Sequence, residues 1–236
     1  MKKALMILVV LAMAFAGCRK DPDNGGNGNP SGTVNGHEWV DLGLPSGTLW
    51  ATCNLGANTP AGYGYHYAWG ETQPQADNTY SWSTYKYANG AFDKLTKYCS
   101  NENYGDNGFT DNLTMLEAAD DAATANWGSG WRTPTSAEFQ ELMDKCKVTW
   151  TTQDGINGRL FAGSNGNTIF LPVAGFSGNG SINVVGTYGC YWSSSLYTED
   201  PDYAFYFYFN SGGCRMNDYS RYYGFSVRPV CSVSQK

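Results

Sequence analysis

Hydrophobic and polar positions change character several times along this chain. Residues 4–16 are an unbroken apolar run preceded by Lys2 and Lys3, and the stretch after Cys18, RKDPDNGGNGNPSG, has no aliphatic residue at all. From Val34 the pattern becomes that of a folded domain. His37 to Leu42 alternates weakly and predicts a first strand, Leu44-Pro45-Ser46-Gly47 a turn, and Thr48 to Cys53 a second short strand. Residues 54–112 show little periodicity and predict long loops, whose aromatics Tyr65, Tyr67, Trp69, Trp82, Tyr85 and Tyr87 must be pinned to something. One helix is plain: Thr135 and Glu138 form a capping box, and Phe139, Leu142, Met143 and Cys146 follow at i, i+3, i+4 and i+7. A shorter helix is expected over Thr114 to Ala125, where LEAADDAATA is rich in helix formers. Further strands are predicted at Arg159 to Ala162, Thr168 to Val173, Tyr191 to Tyr197, Tyr203 to Phe209 and Gly224 to Pro229. Helix early and antiparallel strands late imply an α+β domain. Phe139, Leu142, Trp192, Phe207 and Val227 are expected in its core.

The start of the chain changes the picture. A basic pair, a short apolar core and Phe15-Ala16-Gly17-Cys18 make residues 1–17 a targeting segment. The end of it resembles a bacterial lipobox, in which Cys18 is lipidated and heads the mature chain; Phe15 stands where that pattern prefers Leu, Val or Ile. An ordinary cleaved signal, or a helix that stays attached, is the alternative. Residues 18–33 read as a flexible tether, and residues 34–232 as the domain. Asp21 and Asp23 behind Cys18 resemble the surface-export signals of Bacteroidetes lipoproteins; a solubilising linker reads equally well. The expected location is the outer membrane, held by a lipid anchor and facing outward, with the periplasmic side as the alternative.

Charge and cysteine content narrow the partners. A net charge of −6 argues against nucleic acid, which needs clustered Lys and Arg. Beyond Cys18 there remain Cys53, Cys99, Cys146, Cys190, Cys214 and Cys231, an even set that permits disulfides in an exported chain. Cys53 with Cys231 is the favoured pair if the domain ends meet, whereas Cys146 belongs to the helix's buried stripe.

Several ordered motifs together resemble one family. Val40-Asp41-Leu42-Gly43-Leu44-Pro45-Ser46-Gly47, Trp50-Ala51-Thr52-Cys53-Asn54, Tyr67-Ala68-Trp69-Gly70-Glu71-Thr72, Gly130-Trp131-Arg132-Thr133-Pro134-Thr135, Ile169-Phe170-Leu171-Pro172, Tyr191-Trp192-Ser193-Ser194 and Ser226-Val227-Arg228-Pro229-Val230 are similar to the Fibrobacter succinogenes major paralogous domain. That resemblance implies a C-type lectin-like fold with two helices, a twisted antiparallel sheet, long loops and chain ends that meet. It also implies a more distant kinship with formylglycine-generating enzymes. Neither functional carry-over matches residue by residue. The chain has no Glu-Pro-Asn or Gln-Pro-Asp tripeptide for calcium-mediated sugar binding, and Cys190 and Cys214 do not have the spacing of the copper-holding cysteine pair of those oxidases.

The candidate site lies in the C-terminal fifth. From Ser181 to Cys231 there is no lysine, glutamine or histidine, and tyrosine, serine, asparagine, aspartate and glycine crowd a framework of Trp192, Phe205, Phe207, Phe209 and Phe225. Tyrosine offers large amphipathic contact area at low entropy cost, and small polar residues offer adaptable hydrogen bonds. The alternation Phe205-Tyr206-Phe207-Tyr208-Phe209 predicts phenylalanines inward and tyrosines outward. The expected ligand-binding residues are Tyr197, Tyr203, Tyr206, Tyr208, Asp218, Tyr219, Tyr222 and Tyr223, and the expected partner is a protein or glycan at the cell surface. The tail Gly224-Phe225-Ser226-Val227-Arg228-Pro229-Val230 also resembles the end of retroelement-diversified variable regions. All eight of these ligand-binding residues, with Asp202, Cys214 and Ser220, belong to the set reachable by adenine mutation of Asn codons, whereas Trp192, Glu199 and Met216 do not and would be fixed framework; an invariant tyrosine-rich surface is the alternative.

Other chemistry is weaker. His37 and His66 are too few and too far apart for a His-based metal site, and read as locally bonded residues. Glu117, Asp120 and Asp121 read as a solvated acidic helix face rather than as calcium ligands. Ser193-Ser194-Ser195 lacks a nucleophile-elbow context. Trp127, Trp131 and Trp192 read as core anchors, with sugar stacking by one of them as the alternative. No cofactor and no metal are expected, and the function expected is an adhesin-like binding protein, with an enzyme related to formylglycine-generating oxidases as the alternative.

Overall fold

The structure, a computed structural model, describes residues 31–232. The targeting segment, Cys18 and most of the tether lie outside the described residues. In chain order the first strands are β1 (Ser31–Val34), β2 (His37–Asp41), β3 (Leu49–Ala51) and β4 (His66–Tyr67). A long irregular stretch leads to α1 (Ala122–Trp127), β5 (Trp131–Arg132) and α2 (Ser136–Lys145). The rest is β6 (Lys147–Gln153), β7 (Ile156–Ala162), β8 (Thr168–Pro172), β9 (Phe176–Gly178), β10 (Ser181–Asn183), β11 (Gly189–Leu196), β12 (Tyr203–Asn210), β13 (Gly213–Ser220), β14 (Phe225–Ser226) and β15 (Val230–Cys231). Strand β1 takes in residues 31–33, ahead of the expected domain start at Val34.

This is a mainly β fold, which corrects the α+β, C-type lectin-like expectation: strand outweighs helix, 37% against 11%, and the two α-helices have only six and ten residues. The physical reason lies largely in residues 114–121. Thr114 and Leu116 bond Leu196 and Ser194 of β11 through the backbone, so this segment is drawn out along a strand. Asp121 then accepts from the amides of Ala123 and Thr124, which makes it an N-cap and starts α1 only at Ala122. The two halves of the chain are also interleaved rather than segregated. The order β1-β2-β3-β15-β5 inserts a late strand between early ones, and the order β13-β12-β11-β14-β4 ends on an early one. A third sheet, β6-β7-β8, and the β9–β10 hairpin complete the set.

Local chemistry accounts for the regular elements. In α2 the Thr135 hydroxyl accepts from the Glu138 amide at 3.1 Å and the Glu138 carboxylate accepts from the Thr135 amide at 2.8 Å, the expected capping box. Phe139 and Leu142 are fully buried on its inner side. Between β6 and β7 the two-residue Asp154-Gly155 turn has φ of 51° and 79°, the left-handed pair whose twist suits a tight hairpin. Between β12 and β13, Asn210 Oδ1 accepts from the amides of Gly212 and Gly213 and closes a second two-residue turn.

The chain ends meet as expected: Val230 pairs with Trp50 on one side and Arg132 on the other. Trp192, Phe207 and Val227 are buried. The Cys53–Cys231 disulfide is not formed, and the six cysteines of the described residues are free thiols. Cys231 is buried within its sheet and Cys53 is half-buried beside Thr52.

Candidate functional site

Side chains of β12 go to opposite faces, and both faces are covered. Phe207 and Phe209 enter a core with Phe139, Leu142, Phe161 and Leu171, in which Phe207 stacks on Phe139 at 5.0 Å. Tyr206 enters a second core with Trp69, Tyr80, Tyr85, Tyr98, Trp192 and Phe225. The outward placement expected for Tyr206 is therefore corrected: it is 6% exposed, because loops from the first half of the chain fold over this face and give its ring somewhere to pack. Its hydroxyl accepts from Asn217 Nδ2 at 3.3 Å, and burial pushes its pKa up to about 12.

Register decides which predicted site residues share a face. Arg215, Asn217 and Tyr219 lie opposite Tyr208, Tyr206 and Ala204, on the tyrosine face. Asp218 lies opposite Phe205, on the other face. It is thus separated from the tyrosines, as is Tyr197, whose ring meets Phe205 at 5.3 Å and whose hydroxyl donates to Glu199. Tyr208 is half-buried between Tyr188 at 5.4 Å and the Arg215 guanidinium at 4.9 Å.

Tyr219, Tyr222 and Tyr223 come together at the far end of this face, and all three are half-buried. Tyr222 and Tyr223 stack at 4.1 Å, Tyr219 meets Tyr223 at 4.8 Å, and Trp82 closes the row against Tyr222 at 5.1 Å. Burial raises the pKa of the Tyr219 and Tyr222 hydroxyls, and contact with Tyr223 adds to it, so these two hydroxyls are neutral at physiological pH. The turn that carries the row is rooted by Arg221, a fully buried guanidinium. Arg221 donates to the carbonyls of Lys97, Tyr98 and Pro201 and to the Tyr85 hydroxyl, and lies over the Trp69 ring at 5.1 Å. Gly224 is required beneath Tyr80, since a Cβ there would come within 2.7 Å of the ring. Of the loop aromatics expected to be pinned, Trp69, Trp82 and Tyr85 are held by these contacts and Tyr67 and Tyr87 are buried elsewhere, whereas Tyr65 is 57% exposed and is not pinned.

Beyond Trp82 the row opens into a cleft of about 430 Å³ lined by Trp82, Phe92, Tyr104, Asp200, Asp202, Tyr203 and Ser220. The Tyr104 hydroxyl donates to Asp200 at 2.7 Å. Asp202 is buried, and its Oδ1 has no partner. Burial pushes its carboxyl up to about 6 and Asp200 adds to the push, while its own amide and Arg221 oppose it. Of these residues the sequence reading singled out Tyr203 for the site. Glu199-Asp200-Pro201-Asp202, an acidic turn between two strand patterns, was the available signal for the rest.

The sequence model of the Lcl C-terminal domain family matches residues 44–231. The chain belongs to this family. No curated protein and no solved structure matches it.

Elsewhere in this Lcl C-terminal domain the alternative chemistries resolve into structure. Asp120 accepts from Lys97 at 2.6 Å and from the hydroxyls of Tyr98 and Tyr87; burial would raise its pKa, but these donors hold it at about 2. Glu117 pairs with Lys97, and Asp121 caps α1 and also accepts from Thr133. The three carboxylates are therefore neither a calcium cluster nor a solvated helix face. No group of metal-ligating side chains occurs among the described residues. Cys190 packs on the tyrosine face and Cys214 against the phenylalanine core, on opposite sides of the sheet, so they cannot hold one metal ion. His66 is buried, bonds Ser177 through Nδ1 at 2.7 Å, and has its pKa lowered by burial to about 4. His37 stacks on Trp127 at 3.8 Å. Trp131 and Trp192 are buried anchors, whereas Trp127 is half-buried.

Proposed function

We propose that this Lcl C-terminal domain is the binding module of an exported, lipid-anchored outer-membrane protein, adhesin-like, and that it takes a protein or glycan ligand at the Tyr222 end of the tyrosine face. The observation that carries this reading is the row Trp82–Tyr222–Tyr223–Tyr219, whose rings are stacked, held by a buried Arg221, and left half-exposed beside an open cleft. Rigid aromatic rings at a surface concentrate binding energy, and a preorganised row loses little entropy when it is covered. Membership of a family that is not a known enzyme family is in keeping with a surface or binding role. The motif likeness to the Fibrobacter succinogenes major paralogous domain supports an exported setting, and Cys18 supplies the anchor.

Glycan and protein arrays probed with the full chain test the reading. Wild type is expected to score, and Tyr222→Ala with Tyr223→Ala is expected to lose at least tenfold in affinity, about 1.4 kcal/mol or more. Binding that survives the double substitution overturns the assignment of the site. Labelling with a fatty-acid probe tests the anchor: wild type should be marked and Cys18→Ala should not.

A further inference from the structure

The cleft beyond Trp82 has a composition that narrows the ligand. Two carboxylates, Asp200 and Asp202, stand among the rings of Trp82, Phe92, Tyr104 and Tyr203. No lysine or arginine lines it. Asp200 is exposed and uses Oδ1 to accept from Tyr104, which fixes its carboxylate at the rim. Asp202 is only 6% exposed, yet its Oδ1 lacks a donor. A buried carboxylate short of donors is an uncompensated cost that an incoming N–H-bearing cation would relieve. Aromatic faces attract the same class of group through their quadrupoles, and more strongly where water is excluded.

Among the described residues Arg221 is the one buried cation near Asp202, and its guanidinium is committed elsewhere. Its guanidinium is spent on three carbonyls and the Tyr85 hydroxyl, and only its backbone amide reaches the carbonyl of Asp202. The acidic pair therefore has no side-chain cation bound to it. A neutral sugar would find acceptors here, but it would bring no positive charge to the pair beyond the partial compensation that Arg221 already gives Asp202.

We infer that this cleft is a receptor for a cationic side chain, the ammonium of a lysine or the guanidinium of an arginine, presented by a protein partner. The stacked row Tyr222–Tyr223–Tyr219 then supports the apolar part of the same partner. This rests on the binding-module reading and selects protein over glycan within it.

Titration calorimetry of the full chain with Nα-acetyl-lysine methylamide and Nα-acetyl-arginine methylamide tests the inference. Nα-acetyl-norleucine methylamide, the neutral counterpart, and methyl hexosides serve as controls. At least one basic amide should bind saturably and at least tenfold more tightly than the norleucine amide. Asp200→Asn, at an exposed position where the substituted oxygen can still accept from Tyr104, should cost about tenfold, or ~1.4 kcal/mol. Asp202→Asn should cost more. If it fails to fold, Asp200→Asn together with Phe92→Ala, another exposed position, carries the test. Equal binding of basic and neutral amides, binding indifferent to Asp200→Asn, preference for a hexoside, or no binding of any probe would each overturn the cation receptor. In any of those cases array binding that depends on Tyr222 and Tyr223 would still stand, so the two readings fail separately.

Discussion

The two faces of the central sheet are closed by different means. On the phenylalanine face, α2 and the β6–β8 sheet bring their own backbone hydrogen bonds, and the space between is filled with hydrocarbon: Phe139, Leu142, Phe161, Leu171, Phe207 and Phe209. On the tyrosine face the lid is largely irregular chain from residues 68–113, many of whose backbone groups no ladder satisfies. The rings on that side therefore bear hydroxyls. Tyr80 donates to the carbonyl of His66, Tyr85 to that of Trp69, and Tyr98 to Asp120, while Tyr80 and Tyr98 also accept the amides of Gln75 and Glu117. The lesson concerns tyrosine. An abundance that reads in sequence as a recognition surface is in large part a polar core, because a loop lid needs side chains that are apolar in bulk and hydrogen-bonding at the tip. The outer rank, Tyr219, Tyr222 and Tyr223, stays half-exposed.

Loss of the polar root of the loop lid should have the largest effect. Arg221→Met should destabilise by about 5 kcal/mol or more, since it strands four buried acceptors at roughly 1–3 kcal/mol each. Urea denaturation would measure it, and limited proteolysis should cut residues 71–112 before β6–β8. A loss below about 2 kcal/mol would mean that the lid is held by packing alone. On the other face Phe207→Ala should cost about 3–4 kcal/mol through transfer and cavity terms, with no preferential cutting of the loops.

A third contrast is with pH. The folded pKa of His66 is about 4, against 6.5 for the free side chain, with burial as the cause and the Ala174 carbonyl as a partial offset. Above pH 6.5 neither state is protonated. As pH falls from 6.5 towards 4 the unfolded chain takes a proton that the folded one refuses, so stability is lost. Compared with His66→Phe, wild type should therefore lose about 3 kcal/mol between pH 7 and pH 4. A constant difference across that range would show His66 to be solvated. The smallest effect is expected at the cap of the phenylalanine-face helix, where Thr135→Ala should cost about 1 kcal/mol and leave ligand binding unchanged.

Legibility in the sequence followed the same division. Helix α2 was readable because capping residues and apolar stripe lie within twelve positions of each other, and β8, β11 and β12 because their side chains are apolar or alternate. Strand β13, with Gly213, Arg215, Asn217 and Asp218, was missed because it is half-buried along most of its length, and β6 because Thr151-Thr152 breaks the short alternation begun by Val148 and Trp150. The run at 114–121 misled because helix propensity is a weak prior against tertiary bonds. In the site, the tyrosines were legible by type but not by depth, since strand parity says which face a residue takes and nothing about what covers that face. Asp200 and Asp202 escaped because their partners, Trp82, Phe92 and Tyr104, come from a loop about a hundred positions earlier, which no local pattern links to them.

Strand β15 carries a consequence for how the molecule is made. Its two residues are the bridge between β3 and β5, so the sheet at the start of the domain has a missing middle until Val230 and Cys231 arrive. Trp50 pairs locally with Val40 on one edge, but its other edge must wait for a partner some 180 positions downstream, and the buried Arg228 cannot reach the carbonyls of Ala51 and Thr52 before then. Pairings of that separation close late and make folding slow. A chain emerging N-terminus first can pair β1, β2 and β3 with one another early, but β3 keeps an open edge, and the sheet stays unclosed, until the last strand is free.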